Sequence, residues 1–274
     1  MRLSRRTAGV VYVILIALSV TMIYPFLYII LNAFKANTEY LRNPNGPPRV
    51  WTLQTMASAI QESNLIQGAA NSALVVSISV VGVAILAGMA GYALAKVPFA
   101  GHRLVFFAII SGMMIPFQVI IVPLYVQMAH LHLIDTYQLL IALYVTTSCP
   151  FGVFLMRSFF QGVPNELLEA AQIDGYSFNA IFWRIMLPIA RPALFTLGAL
   201  TFVGVWNDLL IALIFTQSDA RRTMTVDVAN LIGRFLTNYP EVFAGLLLSS
   251  IPTIAFFLAF QRYLSKGLTL GMSK

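Results

Sequence analysis

Charged side chains are scarce in this chain. They make up 10% of its 274 residues, against roughly 25% in soluble domains. Hydrophobic residues make up 59%, and the mean hydropathy is +0.81. An ordinary soluble protein is excluded, because its surface would need far more charge. The sequence predicts an all-α integral membrane protein.

The residues that several common chemistries require are also missing. The single cysteine, Cys149, excludes an internal disulfide. The sequence contains neither a G-x-x-x-x-G-K-[ST] loop for nucleotide phosphates nor a G-x-S-x-G elbow for a serine nucleophile. His102, His130 and His132 lie in or near loops, without a Cys or Glu partner at metal spacing. We therefore expect no catalytic residue, no metal site and no cofactor bound by this chain.

Six apolar runs are long enough to cross a bilayer, which takes about 20 helical residues. They cover approximately Val10–Leu31, Asn71–Leu94, Leu104–Val126, Tyr137–Met156, Pro192–Phe215 and Val242–Phe260. The first run follows Arg2, Arg5 and Arg6 but is too long for the core of a cleaved signal peptide, so we expect a retained signal anchor. The sequence predicts six transmembrane helices.

Two of these runs contain residues that shape helices. Small residues at i, i+4 spacing in the second run, including Ala87 and Gly91, predict close packing on a neighbouring helix. Pro116 and Pro123 predict a kink in the third run. That kink would serve either as a gating hinge or as the bend of a packing helix.

The distribution of basic residues predicts the orientation in the membrane. With six spans both termini lie on one side, and most of the 17 Lys and Arg residues are there: Arg2, Arg5, Arg6, Lys96, Arg103, Arg157, Arg184, Arg191, Arg262, Lys266 and Lys274. Basic residues near span ends stay in the cytoplasm, so the termini and residues 157–191 are predicted to be cytoplasmic. This sorting accounts for the net charge of +7, and no basic cluster exceeds three residues, so we expect no nucleic-acid partner.

A helical, polar interruption follows the fourth run: "ELLEAAQIDGYSFNAIFWRIMLP", residues 166–188. Pro164 suits the first turn of a helix. Glu166 and Glu169 fall where the positive end of the helix dipole favours acids. Gly175 is placed to end this helix in a left-handed cap. The small side chains of Ala170 and Ala171 would let another protein approach the helix closely.

A second short helix is predicted after that glycine. Ser177 is placed to cap its start, and Pro188 to end it. Apolar residues recur at i, i+3, i+4 and i+7 and form one stripe: Phe178, Ile181, Phe182 and Ile185. The pair of helices is either an amphipathic hairpin that only anchors the loop or a docking surface for another protein.

The spacing in this segment resembles that of a known family. Glu169-Ala170-Ala171, three residues, Gly175, nine residues and Ile185-x-Leu187-Pro188 match the E-A-A-x3-G-x9-I-x-L-P loop of membrane subunits of ATP-binding-cassette (ABC) importers. "NSALVVS" at 71–77, "VWNDLL" at 205–210 and the ending "QRYLSKGLTLGMSK" are similar to carbohydrate-uptake permeases. The chain most resembles the shorter, six-span subunit of the maltose type. It departs from the family in its last residues, Met272-Ser273-Lys274, where a valine-lysine-glycine is usual.

The resemblance implies a fold and a set of coupling residues. The fold is the type I, MetI-like bundle, formed by one permease domain over residues 1–274 with a core at about 70–262 and an ATPase-coupling loop at 157–191. The residues that it implies for ATPase coupling are Glu169, Ala170, Ala171, Asp174, Gly175, Ile185, Leu187 and Pro188. The first helix of the loop would sit in a cleft of the ATPase.

The resemblance also implies partners and a location. These are a second permease subunit, a cytoplasmic ATPase dimer that binds ATP and magnesium, an extracytoplasmic sugar-binding protein and membrane lipid. The expected location is the bacterial or archaeal inner membrane, with both termini in the cytoplasm. The expected function is sugar import, of a di- or oligosaccharide, driven by the partner's ATP hydrolysis.

Polar residues inside the fifth run form a second candidate site. Trp206, Asn207 and Asp208 are adjacent there, and an ionisable group at membrane depth costs at least about 2.5 kcal/mol on insertion scales. Asp208 has three candidate roles: proton coupling, a place in a hydrated sugar pathway, or hydrogen bonding between helices. Proton coupling would make the chain a self-sufficient ion-coupled carrier, which is the alternative to the importer. An intramembrane enzyme lacks a convergent nucleophile and base.

Overall fold

Helices are the regular elements of the chain wherever the structure describes it. The computed structural model describes residues 5–232 and 237–270, and the surroundings of side chains in 9–232 and 237–261. The helices are α1 (Arg5–Ala33), α2 (Asn37–Arg42), α3 (Gln54–Glu62), α4 (Leu65–Lys96), α5 (His102–Ser111), α6 (Phe117–His130), α7 (Tyr137–Gln161), α8 (Glu166–Ile173), α9 (Phe178–Ile181), α10 (Leu187–Ile189), α11 (Arg191–Trp206), α12 (Leu210–Phe215), α13 (Met224–Asn230) and α14 (Tyr239–Leu270). The predicted all-α fold is confirmed. Met272-Ser273-Lys274 and Arg2 lie outside the described residues.

Four described helices are long and apolar enough to cross a membrane, or up to six spans if each of two bent pairs counts as one. The four cover Gly9–Ala33, Leu65–Lys96, Tyr137–Gln161 and Tyr239–Gln261. The bent pairs are His102–Met114 with Phe117–His130, at 94°, and Phe178–Ile189 with Arg191–Trp206, at 77°. The first, second, fourth and sixth predicted runs therefore form uninterrupted helices.

The sequence predicted one kinked helix for the third run, but the structure shows two separate helices there. A 3₁₀ turn, Gly112–Met114, follows α5, and the chain then becomes extended at Ile115, with φ −90° and ψ 111°. A residue that precedes proline is driven out of the helical region by the proline ring, so Pro116 stops the helix instead of bending it. Pro123 is accommodated inside α6.

The fifth predicted run, Pro192–Phe215, is also interrupted. The helix α11 ends at Trp206, and α12 starts only at Leu210. The three residues between them include Asp208, whose side chain accepts the Ile211 N–H at 2.9 Å and so caps the second piece. The prediction of a continuous helix was wrong because this local capping competes with helix continuation.

The chain divides into two compact units. One contains the chain up to Ile66 together with Asp227–Ile251, and the other contains Gln67–Val226 together with the chain from Pro252 onward. The core of the first unit includes Ala33, Ala59 and Ala244.

A buried lysine organises a turn in the first unit. Lys35 is 0% exposed, and its Nζ donates to Asn32 Oδ1 at 2.8 Å and to the carbonyls of Asn43 and Gly46 at 2.7 Å. An ammonium group has three donors, and all of them are used here. Burial lowers the pKa of Lys35, and the charge of Glu39 partly offsets that effect.

The core of the second unit lies where α4, α7 and the α9–α11 segment meet. Its buried members include Val83, Met156, Phe160, Ile181, Phe182, Met186 and Leu197. A Cβ on Gly91 would lie 2.7 Å from Met156 Cβ, and one on Gly152 would lie 2.7 Å from Ala87 Cβ. The predicted close packing of the small-residue face is confirmed, and its neighbour is α7.

Candidate functional site

The first helix of the predicted coupling loop is α8, which ends at Ile173. Gly175 has φ +82°, and its N–H donates to Gln172 O while the Tyr176 N–H donates to Ala171 O, both at 3.0 Å. These two bonds form a Schellman motif, which needs a residue that tolerates positive φ. The predicted left-handed cap at Gly175 is confirmed.

The faces of α8 differ in exposure. Leu168 and Ala171 are buried, with 6% and 4% exposure, and belong to the core of the second unit. Ile173 is 87% exposed, and Glu169, Ala170 and Asp174 are also exposed. The expectation that Ala170 and Ala171 both form an approachable face was therefore wrong for Ala171, which packs on the chain's own bundle. The exposed residues of α8 and its C-cap include three acids and several uncharged side chains: Glu166, Leu167, Glu169, Ala170, Gln172, Ile173 and Asp174.

The second helix begins as predicted, with the Ser177 hydroxyl accepting the Ala180 N–H at 3.3 Å. After α9 the chain widens into a π-helical turn, Phe182–Met186, before α10. The helix ends at Ile189, one residue beyond Pro188.

The predicted apolar stripe of this second helix is partly correct. Ile181 and Phe182 are buried and Ile185 is half-buried, but Phe178 is 45% exposed. Met186, four residues beyond Phe182, is also fully buried and extends the stripe, which was predicted only as far as Ile185. Of the other predicted coupling residues, Leu187 is half-buried and Pro188 is exposed.

The polar residues between α11 and α12 do not converge on one surface. Trp206 is 5% exposed and stacks on Phe202 with ring centroids 5.8 Å apart. Asn207 is exposed, and its Nδ2 donates back to Val203 O at 2.9 Å. Asp208 is half-buried and turned towards α7.

Asp208 is the centre of a hydrogen-bond network. Its Oδ1 accepts both the Tyr144 hydroxyl at 3.0 Å and the Ile211 N–H at 2.9 Å. Its backbone carbonyl accepts the Thr225 hydroxyl at 2.8 Å. Sequence reasoning missed Tyr144 and Thr225. The signal for Tyr144 was a tyrosine within an apolar run, because a buried phenol usually finds a polar partner.

A second network, which sequence reasoning also missed, joins the α6–α7 loop to the α12–α13 loop. Asp135 has φ 61°, and its Oδ1 accepts the backbone N–H groups of Gln217 at 2.9 Å and Ser218 at 3.1 Å. Burial alone would raise the pKa of the Asp135 carboxyl. The hydrogen bonds from Ser218 and Gln217, with the charge of Arg221, outweigh burial and hold that pKa below its ordinary value.

Known proteins are similar to this chain in sequence and in fold. Residues 83–270 match the family described as binding-protein-dependent transport system inner membrane component. The chain is 30% identical over 269 residues to the diacetylchitobiose uptake system permease protein of Streptomyces coelicolor, covering 97% of this chain and 89% of that protein. It is 32% identical over 269 residues to the arabinooligosaccharides transport system permease protein of Halalkalibacterium halodurans, covering 97% and 94%.

A solved structure is similar as well. A chain of a bacterial ABC transporter involved in the import of the acidic polysaccharide alginate superimposes with a TM-score of 0.82 at 22% identity, covering 96% of this chain and 99% of that one. This likeness shows the fold. The family match spans well over half of the sequence and includes all of the coupling loop. The chain therefore belongs to the inner-membrane components of binding-protein-dependent transport systems, which are the permeases of ABC importers.

Proposed function

We propose that this chain is one of two permease subunits of an ATP-driven sugar importer, with a di- or oligosaccharide as its solute. The similarity over almost the whole chain to permeases named for diacetylchitobiose and arabinooligosaccharide transport supports this substrate class. The chain would form half of the pathway. A partner ATPase dimer would bind ATP and magnesium and hydrolyse the ATP, so this subunit would not be catalytic.

The observation that carries the proposal is the geometry of α8. One face is fixed to the bundle by Leu168 and Ala171, while Glu169, Ala170 and Ile173 stand free. A short helix that packs on its own bundle through one face and exposes the other can bind in a cleft of another protein. Glu169, Ala170, Asp174, Gly175 and the exposed Pro188 would contact the ATPase, and Ala171, Ile185 and Leu187 would support that surface from the bundle side.

The orientation in the membrane follows from this assignment. The ATPase is cytoplasmic, so α8 would face the cytoplasm, together with both termini of the chain. An extracytoplasmic sugar-binding protein would then meet the opposite side. The chain would act as one permease domain in the inner membrane, surrounded by lipid and the second permease, without a nucleic-acid partner.

For the solute pathway, the exposed amide of Asn207 is the contact that we propose. The tryptophan beside it is buried, and Oδ1 of Asp208 already accepts two hydrogen bonds. Asp208 is better suited to stabilising the break between α11 and α12 than to carrying protons. The geometry therefore favours the importer over a carrier coupled through Asp208.

A matched pair of glycine variants tests the docking role of α8. Gly175 and Gly101 have φ +82° and +83°, and a Cβ on either would meet nothing within 4 Å. An aspartate at either position bears the same left-handed strain, roughly 1–2 kcal/mol. Only Gly175 is in the coupling loop, so we expect Gly175→Asp to abolish transport or ATPase binding, while Gly101→Asp leaves both near wild type.

The readouts are the amount of ATPase recovered with the membrane subunits and the rate of uptake. Glu169→Lys, which reverses a charge on the free face of α8, should behave like Gly175→Asp, with membrane insertion preserved. Normal ATPase recovery together with normal uptake in Gly175→Asp and Glu169→Lys would refute the docking role.

A further inference from the structure

The last residue of α4 is bonded to the segment that leads into α8. Lys96 Nζ donates to Val163 O at 2.5 Å and to Asn165 Oδ1 at 2.6 Å. Val163 is buried, and Asn165 is the residue immediately before α8. A helix that lies almost 70 positions earlier in the sequence is thus tied to the start of the coupling helix.

The bonding of Asn165 is unusual for its position. Asparagine is among the residues that best cap a helix start, where its side chain typically contributes about 1 kcal/mol. Here the Asn165 side chain caps nothing in α8, and its oxygen accepts from Lys96 instead. The lysine also places a positive charge near the positive end of the α8 dipole, an arrangement that opposes helix stability. The contact between Lys96 and Asn165 therefore does not cap α8.

Lys96 makes polar contacts between α4 and this junction, and its charge also interacts with that of Glu166. A cavity of about 500 Å3 lies there, and its lining includes Lys96, Gln161, Asn165 and Glu166. Apolar packing flanks the cavity, because Val163 before α8 and Leu168 and Ala171 within it belong to the same core cluster as Leu94 of α4. The start of α8 is thus joined to α4 by the hydrogen bonds of Lys96 and by its attraction to Glu166.

The end of α4 is in turn fixed to α7. Gly91 lets the backbones of the two helices approach closely, since a Cβ there would lie 2.8 Å from the backbone nitrogen of Arg157. Arg157 Nε donates to Leu94 O at 3.4 Å, and its guanidinium lies 4.1 Å from the centre of the Phe106 ring. A displacement passed to Lys96 would therefore move a joined pair of long helices.

We propose that Lys96 is a positioning residue for ATP-driven transport, because it fixes the start of α8 to the end of α4 and so transmits movements of α8 into the bundle. This inference rests on the proposed docking of the ATPase on α8. It assigns to Lys96 a role in coupling, separate from the contact with the ATPase.

The experiment compares Lys96→Met and Lys96→Arg in the full complex of permeases, ATPase and binding protein. It measures recovery of the ATPase, phosphate release from ATP, and uptake of a labelled mixture of disaccharides and oligosaccharides. We expect Lys96→Met to retain the ATPase but to lower uptake per ATP hydrolysed about tenfold, the scale of a lost charge-assisted hydrogen bond. Lys96→Arg keeps the charge and donors and should restore the ratio to near wild type.

Arg103→Met is the matched control. Arg103 is an exposed cation at the start of α5, on the same predicted side of the membrane. Its loss removes one positive charge from that side without touching α8, so we expect an unchanged ratio. A ratio that falls equally in Arg103→Met and Lys96→Met would assign the effect to membrane topology and overturn the proposal.

Two other results would overturn it. One is a wild-type ratio of uptake to ATP hydrolysed in Lys96→Met. The other is an equal loss of the assembled transporter in Lys96→Met and Lys96→Arg, with that ratio unchanged in the complex that remains. If Lys96→Met yields no complex, Asn165→Ala decides, since it retains the lysine and its bond to Val163. We expect a lowered ratio, and an unchanged one refutes the proposal. Wild-type uptake that needs no ATPase would instead refute the proposed function.

Discussion

Tyr144 in α7 donates its hydroxyl hydrogen to Oδ1 of Asp208 across 3.0 Å, and the same oxygen caps the first turn of α12. The two bonds bring together a transmembrane helix and a break in another predicted span. A carboxylate with this role holds a local structure in place. Its cost within the membrane is offset by donors on both sides.

Removing either partner of this bond should lower transport without changing its response to pH. Tyr144→Phe keeps the ring and removes one hydrogen bond, which in membrane proteins contributes about 0.6 kcal/mol on average. Asp208→Asn keeps an acceptor for the Ile211 N–H but removes the charge. We expect a severalfold loss of uptake in Asp208→Asn and a smaller one in Tyr144→Phe. Uptake measured across a pH series checks this.

The double variant shows whether the two side chains act together. If Tyr144 works through Asp208, the losses in the double variant should be less than additive. Loss of a proton dependence in Asp208→Asn would contradict the structural role and favour an ion-coupled carrier.

The caps of the coupling loop could be predicted because their causes are local. Gly175 and Ser177 act on backbone groups within a few residues of themselves, so the sequence around them contains the necessary information. The break at Asp208 could not be predicted in the same way. The cap on Ile211 is local, but the bonds from Tyr144 and Thr225 that hold Asp208 in place come from residues outside this run, so the polar residues in it did not by themselves show that the helix stops there.

The sequence pattern also did not show which residues of the coupling loop are buried. Ala170 and Ala171 are identical in type, yet only Ala171 packs into the bundle. Phe178 fits the apolar period but is exposed at the first position of α9. These outcomes depend on tertiary contacts, which periodicity does not include.

A methyl group at Gly91 should destabilise the protein, whereas one at Gly204 should not. A Cβ at Gly91 would lie 2.7 Å from Met156 Cβ and 2.8 Å from the backbone nitrogen of Arg157. The helices α4 and α7 must therefore separate, at a cost of about 1–3 kcal/mol. A Cβ at Gly204 would meet nothing within 4 Å, and alanine favours the helix there. Thermal unfolding of the purified Gly91→Ala and Gly204→Ala variants checks this. Equal melting temperatures would show that α4 and α7 do not pack this closely.

Asp135→Ala should lower stability at neutral pH, and the effect should shrink in acid. Removal of the carboxylate leaves the Gln217 and Ser218 N–H groups without their acceptor. The folded-state pKa lies below the ordinary value of 3.8, so the contribution is complete above about that pH and is lost as pH falls through the folded-state value. In a chain of this size each kcal/mol lost lowers the melting temperature by about 2–4 °C.

Asp219→Ala is the control for that measurement. Asp219 forms an ion pair with Arg222, but its side chain is 71% exposed, and exposed pairs contribute little. We expect a melting temperature near wild type at every pH. An Asp135→Ala deficit that persists unchanged in acid would contradict the role given to the ionised carboxylate.

Uptake by proteoliposomes tests whether this chain transports sugar only as part of an ATP-driven importer. The chain is reconstituted alone, and then with the second permease, the ATPase dimer and the binding protein, each with and without ATP on the ATPase side. We predict uptake of the labelled sugar mixture only in the full complex and only with ATP. Uptake by the chain alone, unaffected by ATP, would contradict it.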